Sequence, residues 1–272
     1  MHTNDEMSDI IGAAHAAAGA ARSAILPYFR TDCLAAEDKH LPGAGSEGAY
    51  DPVTAADRAA EQAMRAVLRR LRPQDAILGE EFGQSAGRSG LTWVLDPIDG
   101  TRGFLAGTPT WGVLIALCGA DGPIYGLIDQ PYIAERFEGG LGRASMTGPM
   151  GARILRTRRN RPLVEATVMT TFPAVGTPEE GAAFARIAAA ARMVRYGYDC
   201  YAYALLALGQ IDLVIEAGLK PYDICAPIAV IEAAGGIVTD WQGGPAHGGG
   251  RIVAAASAQQ HAAALRILSQ AG

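Results

Sequence analysis

The sequence predicts an α/β fold of the α+β type, one continuous unit of two layered halves whose sheets are mixed and largely antiparallel. Three observations carry this. Segments with helical apolar spacing alternate with short apolar runs along the whole chain. Hairpin turns such as Asp121-Gly122 join neighbouring runs, so the sheets are not purely parallel. No internal repeat or low-complexity linker divides the 272 residues, a length sufficient to bury a large core. We therefore read 1–272 as a single domain, with an N-terminal half of about 1–145 and a C-terminal half of about 146–272.

Residues 8–29 read as an Ala-rich helix that ends near Pro27, and 33–50 as a loop rich in Gly, Pro and charge. Thr54 opens a second helix in which Ala60, Met64, Val67 and Leu71 form one apolar stripe. Arg65, Arg69, Arg70 and Arg72 lie mainly off that stripe, and Pro73 closes the helix. Trp93-Val94-Leu95 is a buried strand running into Asp96, followed by strands at 113–118 and 124–129. The stretch 136–168 alternates weakly and reads as further sheet. Helices at 178–191, 200–208, 223–234 and 258–269 are interleaved with strands at 211–216, 237–239 and 252–254.

Charge and composition exclude several classes. A formal charge of −5, from 23 basic and 28 acidic residues, argues against a nucleic-acid partner, which needs a basic face. It does not argue against a phosphate substrate, because carboxylates holding divalent cations attract phosphate. Cys33, Cys118, Cys200 and Cys225 are scattered without a CxxC pair and read as reduced, mostly buried small hydrophobes. The five histidines show no zinc-ligand spacing. The apolar run 10–21 follows Asp5, Glu6 and Asp9 rather than basic residues, so it does not read as a signal peptide, and it is too short to span a bilayer. A cytoplasmic protein without a membrane partner is expected.

Four acidic positions stand at the ends of apolar elements: Asp57, Glu80-Glu81, Asp96 with Asp99, and Asp223. In Asp96-Pro97-Ile98-Asp99-Gly100-Thr101 a buried strand delivers Asp96 to its C-terminal end, and Pro97 forces a turn that lets both acids converge. Gly100 allows close backbone approach to a ligand, and Thr101 would start a short helix whose free amides favour an anion. Carboxylates beside such a helix end suit metal-assisted phosphoryl chemistry. Taken singly, each position also has a structural reading. The Asp-Pro segment could be a turn and cap, Glu80-Glu81 a solvated loop, Asp57 part of a capping arrangement after Thr54, and Asp223 an N-cap.

Taken together, Asp51-Pro-Val-Thr-Ala-Ala-Asp57, Gly79-Glu80-Glu81, Trp93-Val-Leu-Asp-Pro-Ile-Asp-Gly-Thr101 and Pro221-Tyr-Asp223 resemble the inositol monophosphatase family, in order from about Ile10 to the C-terminus. The resemblance implies an αβαβα layered sandwich, a homodimer, and a Mg²⁺-dependent, commonly lithium-sensitive hydrolysis of small phosphate esters. It implies that Glu80, Asp96 and the Ile98 carbonyl hold one Mg²⁺, and that Asp96, Asp99 and Asp223 hold a second. A weaker third ion, where present, would sit near Glu80. Glu80 and Thr101 would orient the attacking water, Asp57 would accept the Thr101 hydroxyl proton, and the Gly100 and Thr101 amides would contact phosphate. The family places a lysine shortly before the first motif; the nearest here, Lys39, is separated from Asp51 by a long Gly-rich stretch, so no role is assigned to it.

Asp99-Gly-Thr-Arg-Gly-Phe104, Pro109-Thr-Trp-Gly-Val-Leu-Ile115, Gly197-Tyr-Asp-Cys-Tyr-Ala-Tyr203 and Leu219-Lys-Pro-Tyr-Asp223 look closer to the histidinol-phosphatase branch, in which an acid at the position of Asp199 is typical. Histidinol phosphate carries an ammonium and an imidazole, which Asp199 and Glu216 could receive. Glu216 would equally accept hydrogen bonds from a neutral polyol, and Asp199 could instead cap the helix near Cys200. Inositol 1-phosphate is the alternative ester. A 3′-phosphoadenosine nucleotidase or a fructose-1,6-bisphosphatase-like enzyme would need a second phosphate site, for which only Arg102 and Lys220 lie beside a motif. A catalytically silent partner-binding member would be expected to lack one of the acids, and none is missing.

Overall fold

The computed structural model describes residues 3–31, 36–38 and 52–270. In chain order the elements are α1 (Asn4–Ile25), β1 (Ala36–Asp38), β2 (Pro52–Thr54), α2 (Ala55–Leu71), β3 (Ala76–Gly79), β4 (Gly83–Ser85), β5 (Thr92–Asp99) and α3 (Thr101–Leu105). Four hairpin-linked strands follow: β6 (Gly112–Gly119), β7 (Gly122–Gln130), β8 (Glu135–Gly140) and β9 (Arg143–Gly148), with β10 (Gly151–Ile154) at the edge. The C-terminal half contains β11 (Thr167–Thr170), α4 (Pro178–Ala190), β12 (Met193–Tyr196), α5 (Asp199–Ala207), β13 (Leu213–Leu219), α6 (Pro221–Ala233), β14 (Ile237–Asp240), β15 (Gly250–Ala255) and α7 (Ala258–Leu268).

Two large sheets result. The eight-stranded one runs β10-β9-β8-β7-β6-β5-β3-β4, antiparallel throughout except for the parallel pair β3/β5. The five-stranded one runs β12-β11-β13-β15-β14, parallel on the β12-β11-β13 side and antiparallel on the other.

Side-chain alternation explains the layering. Along β5 and β6, Trp93, Leu95, Val113, Ile115 and Leu117 point to one face and pack with Ala14 and Ala17 of α1 and Met64 and Leu68 of α2. Val94, Leu114 and Ala116 point to the other face and pack with α5 and α6. Both faces are apolar because both are covered. The same α5/α6 layer packs against Val214, Ile252 and Ala254 of the smaller sheet. That sheet's opposite face, including Leu213, Ile215 and Val253, meets Phe184 and Ile187 of α4 and Leu268 of α7. The order is therefore helices, sheet, helices, sheet, helices, as expected. Helix α6 is buried along Ile224 to Ile231, the signature of a helix with apolar layers on both sides.

Several local expectations are corrected. Helix α1 begins at Asn4, where the Thr3 side chain accepts the Glu6 amide at 3.2 Å, and it ends at Ile25. The stretch 33–50, read as loop, includes strand β1, which pairs antiparallel with β2; the rest of it, Lys39 included, lies outside the described residues. The buried stripe of α2 is Ala56, Ala60, Met64 and Leu68, with Leu71 45% exposed. Arg65 is buried beside Glu61 rather than facing solvent, because the pair neutralise one another inside the layer. The β6–β7 turn is Ala120-Asp121, since Gly122 already pairs with Gly119. Sheet in 136–168 stops at Ile154 and resumes only at Thr167. Helix α6 starts at Pro221 with Lys220 in the cap position, so Asp223 stands inside the first turn and is not the N-cap. Cys118, Cys200 and Cys225 are free thiols. Among the described residues no helix is long and apolar enough to cross a membrane.

Candidate active site

The parallel pairing of β3 with β5 sets Gly79 opposite Leu95, so both strands deliver their C-terminal ends to the same sheet edge. The Glu80 amide donates to the Leu95 carbonyl at 3.2 Å, and Asp96 follows directly. Asp96 and Asp99 are three apart and would face opposite ways on a regular strand. Between them the register against β6 moves from Leu114 to Gly112, so three steps on β5 meet two on its partner. This bulge inserts one residue and re-aims Asp99 towards Asp96. Pro97 fits there because a bulge spares it a ladder donor. The turn is tightened by Ile98 N–H donating to Asp96 Oδ1 (3.0 Å) and by the Thr101 hydroxyl donating to the Ile98 carbonyl (3.0 Å).

Asp223 comes from the other half of the chain, its Oδ2 accepting the Lys220 amide at 2.7 Å. Carboxylate oxygens of Asp96, Asp99 and Asp223 lie within 4.8 Å of one another. Burial, followed by the charges of Glu80, Asp99 and Asp223, pushes Asp96 well above the usual carboxylate range. Asp99 is pushed the same way by burial and by Asp199 and Asp223, against the opposing hydrogen bond from Cys200 N–H. Acids gathered this closely cannot all ionise without a compensating cation. A donor set made of carboxylate and carbonyl oxygens fits a hard divalent ion such as Mg²⁺.

These acids open into a cleft of about 690 Å³. Its lining includes Glu80, Ile98, Gly100, Thr101, Asp199 and Glu216, together with Arg102 and Lys220. Asp199 is the first residue of α5 and makes no capping bond; its φ is +44°, a backbone conformation rare outside glycine. Its side chain occupies the space over Gly100, where an added Cβ would sit 2.9 Å from the Asp199 Cγ. Gly100 itself has φ +86°, so glycine is required there twice over. Burial raises Asp199 to about 6, with Arg102 opposing. Glu216 accepts the Thr171 amide at 2.6 Å and is pushed up to about 7 by burial.

Asp57 lies apart from the cleft lining. Its Oδ2 accepts both the amide (2.8 Å) and the hydroxyl (2.6 Å) of Thr54, forming the capping arrangement of α2, and burial raises it to about 6. The Thr101 hydroxyl is turned to Ile98 rather than to Asp57. Sequence reasoning missed the wall formed by Thr171, Phe172, Val175 and Gly176 after β11. The available signal was the apolar run Val168-Met169 ending in polar residues and a proline, the same texture that marked Asp96.

The raised carboxyls give a pH prediction. An acid whose folded pKa lies above its unfolded value costs nothing below the unfolded pKa and destabilises the fold as pH climbs through the folded one. The metal-free protein should therefore lose stability as pH climbs above the usual carboxylate range, and Mg²⁺ should restore it by taking the place of protons on Asp96 and Asp99. Thermal melts are expected to show a larger Mg²⁺-induced rise in Tm at pH 8 than at pH 5; equal rises would contradict the carboxylate site.

A five-layer sandwich with an acidic, oxygen-lined centre at the end of a parallel strand pair defines a phosphomonoester hydrolase of generally metal-dependent type. The chain belongs to the inositol monophosphatase family, whose sequence pattern matches residues 6–272. It is 41% identical to the bifunctional phosphatase IMPL2, chloroplastic, of Arabidopsis thaliana, across 89% of this chain and 67% of that protein. It is 32% identical to the histidinol-phosphatase of Streptomyces coelicolor, across 96% and 97% respectively. An inositol monophosphatase structure from Zymomonas mobilis superposes with a TM-score of 0.83 at 38% identity, covering 97% of this chain and 98% of that one.

Proposed function

We propose that this enzyme hydrolyses histidinol phosphate in a Mg²⁺-dependent reaction. The observation that carries the ester choice is Asp199, an acid that projects over Gly100 into the cleft and does no capping. Glu216 stands on the same cleft, so a leaving group bearing an ammonium and an imidazole meets two carboxylates. The likeness to the Streptomyces histidinol-phosphatase supports the same reading.

Glu80, Asp96 and the Ile98 carbonyl would hold one Mg²⁺ and Asp96, Asp99 and Asp223 a second, with a weaker third near Glu80. Bound Mg²⁺ supplies charge neutralisation for the phosphate and acidifies water. Glu80 and Thr101 orient the attacking water, and the Gly100 and Thr101 amides receive phosphate oxygens at the start of α3. Proton transfer from Thr101 to Asp57 requires the hydroxyl to leave the Ile98 carbonyl, its partner in the structure. The working unit is a single domain over 1–272, assembled as a homodimer.

The test is a panel of esters assayed with Mg²⁺: histidinol phosphate, inositol 1-phosphate and 3′-phosphoadenosine 5′-phosphate. The highest kcat/KM should fall on histidinol phosphate, and equal values for it and inositol 1-phosphate would sink the preference. Preference for the bisphosphate would assign Arg102 and Lys220 to a second phosphate instead. Asp199→Asn is expected to raise KM for histidinol phosphate about 10-fold while changing inositol 1-phosphate little, since a charge-assisted bond contributes ~1.5 kcal/mol or more.

A further inference from the structure

Glu61 has no place in the chemistry above, yet it is fully buried on α2. Its carboxylate accepts three hydrogen bonds. Arg65 Nε donates to Oε1 at 2.7 Å, the Glu81 amide to Oε2 at 2.7 Å, and the Phe82 amide to Oε1 at 3.3 Å. Arg65 continues through its Nη2 to the Gly83 carbonyl. The pair thus grips three consecutive residues that follow Glu80. On the preceding side, a Cβ at Gly79 would lie 2.0 Å from Glu61 Oε1, so the strand end rests directly on the carboxylate.

Glu80 is therefore held from two sides, by the Leu95 carbonyl of β5 and by the Glu61–Arg65 pair of α2. A buried ion pair adds little stability over apolar residues of similar volume. What this one supplies is a fixed bend. We propose that Glu61 is a positioning residue for Glu80, anchoring the turn so that the Glu80 carboxylate meets the divalent cation beside Asp96. This rests on the assignment of Glu80 as a metal ligand. Residues that orient metal ligands typically contribute 10- to 100-fold in affinity.

The test uses the full chain and calorimetric titration with Mn²⁺ in the absence of any ester. Glu61→Leu/Arg65→Met, which replaces the pair by apolar side chains, should weaken Mn²⁺ binding at least about 10-fold. Glu61→Gln should do the same and serves if the double variant does not fold. Met64→Ala, in the same helix and layer, lowers Tm but should leave Mn²⁺ affinity within about twofold of the parent, separating positioning from general loosening. Parent-like affinity in the folded Glu61 variants, while Glu80→Gln binds weakly, overturns the positioning role alone. Parent-like affinity in Glu80→Gln overturns the metal assignment, and the positioning role with it.

Discussion

Asp96→Asn is expected to cut kcat at least about 10³-fold at saturating Mg²⁺, or roughly 4 kcal/mol of barrier. Asp96 is 2% exposed and is pressed by Glu80, Asp99 and Asp223. In the proposed centre it is the one side chain shared by both cations. Asparagine keeps the size and one carbonyl oxygen but removes the charge. Its Oδ1 can still accept the Ile98 amide, so the turn should survive and the loss should be chemical rather than structural. Near-parent turnover in a folded Asp96→Asn protein would remove Asp96 from the metal centre.

Gly139→Ala is expected to cost about 3 kcal/mol of stability, at the upper end of ordinary overpacking. Glycines on β7 and β8 let α6 lie directly on the large sheet. A Cβ at Gly139 would sit 2.5 Å from both the Ala229 carbonyl oxygen and Val230 Cα, and one at Gly126 2.4 Å from the Ala226 oxygen. Those neighbours are helix backbone and cannot rotate away, so α6 itself would have to move. Tm should fall by roughly 5 °C for a chain of this size, read by calorimetry. A change of under about 2 °C would mean that the layer has slack the structure does not show.

Much of this was legible because the sequence punctuates its own elements. The apolar run ending in Asp96-Pro97-Ile98-Asp99 and the acids at Glu80 and Asp223 pointed to an acidic centre jointly, as motifs in one order, because each alone also reads as a turn, a loop or a cap. Pro97 marked the convergence of Asp96 and Asp99 as a turn, but not that a bulge achieves it, because the bulge depends on the register of β6. Arg65 reads as lying off the apolar stripe of α2 and Glu61 carries no signal, since two opposite charges a turn apart look the same whether buried or solvated. The stripe was drawn through Leu71 because spacing alone does not show where a helix leaves its sheet. Asp199 was ambiguous between cap and cleft, and only its backbone angle and its place over Gly100 distinguish the two.

Helix α6 is pressed between the two sheets and brings Asp223 to acids that belong to the other half of the chain. An ion held there, as proposed, would grip both halves at once. Opening the large sheet away from α6 would have to release the ion, so saturating cation should suppress the partial openings that expose amides between them. Hydrogen exchange along Ile224–Ile231 should then slow far more on metal addition than exchange in α4 or α7, which lie on the outer face of the smaller sheet. The helix that looks most structural in the protein would be the one whose protection reports most directly on the ion.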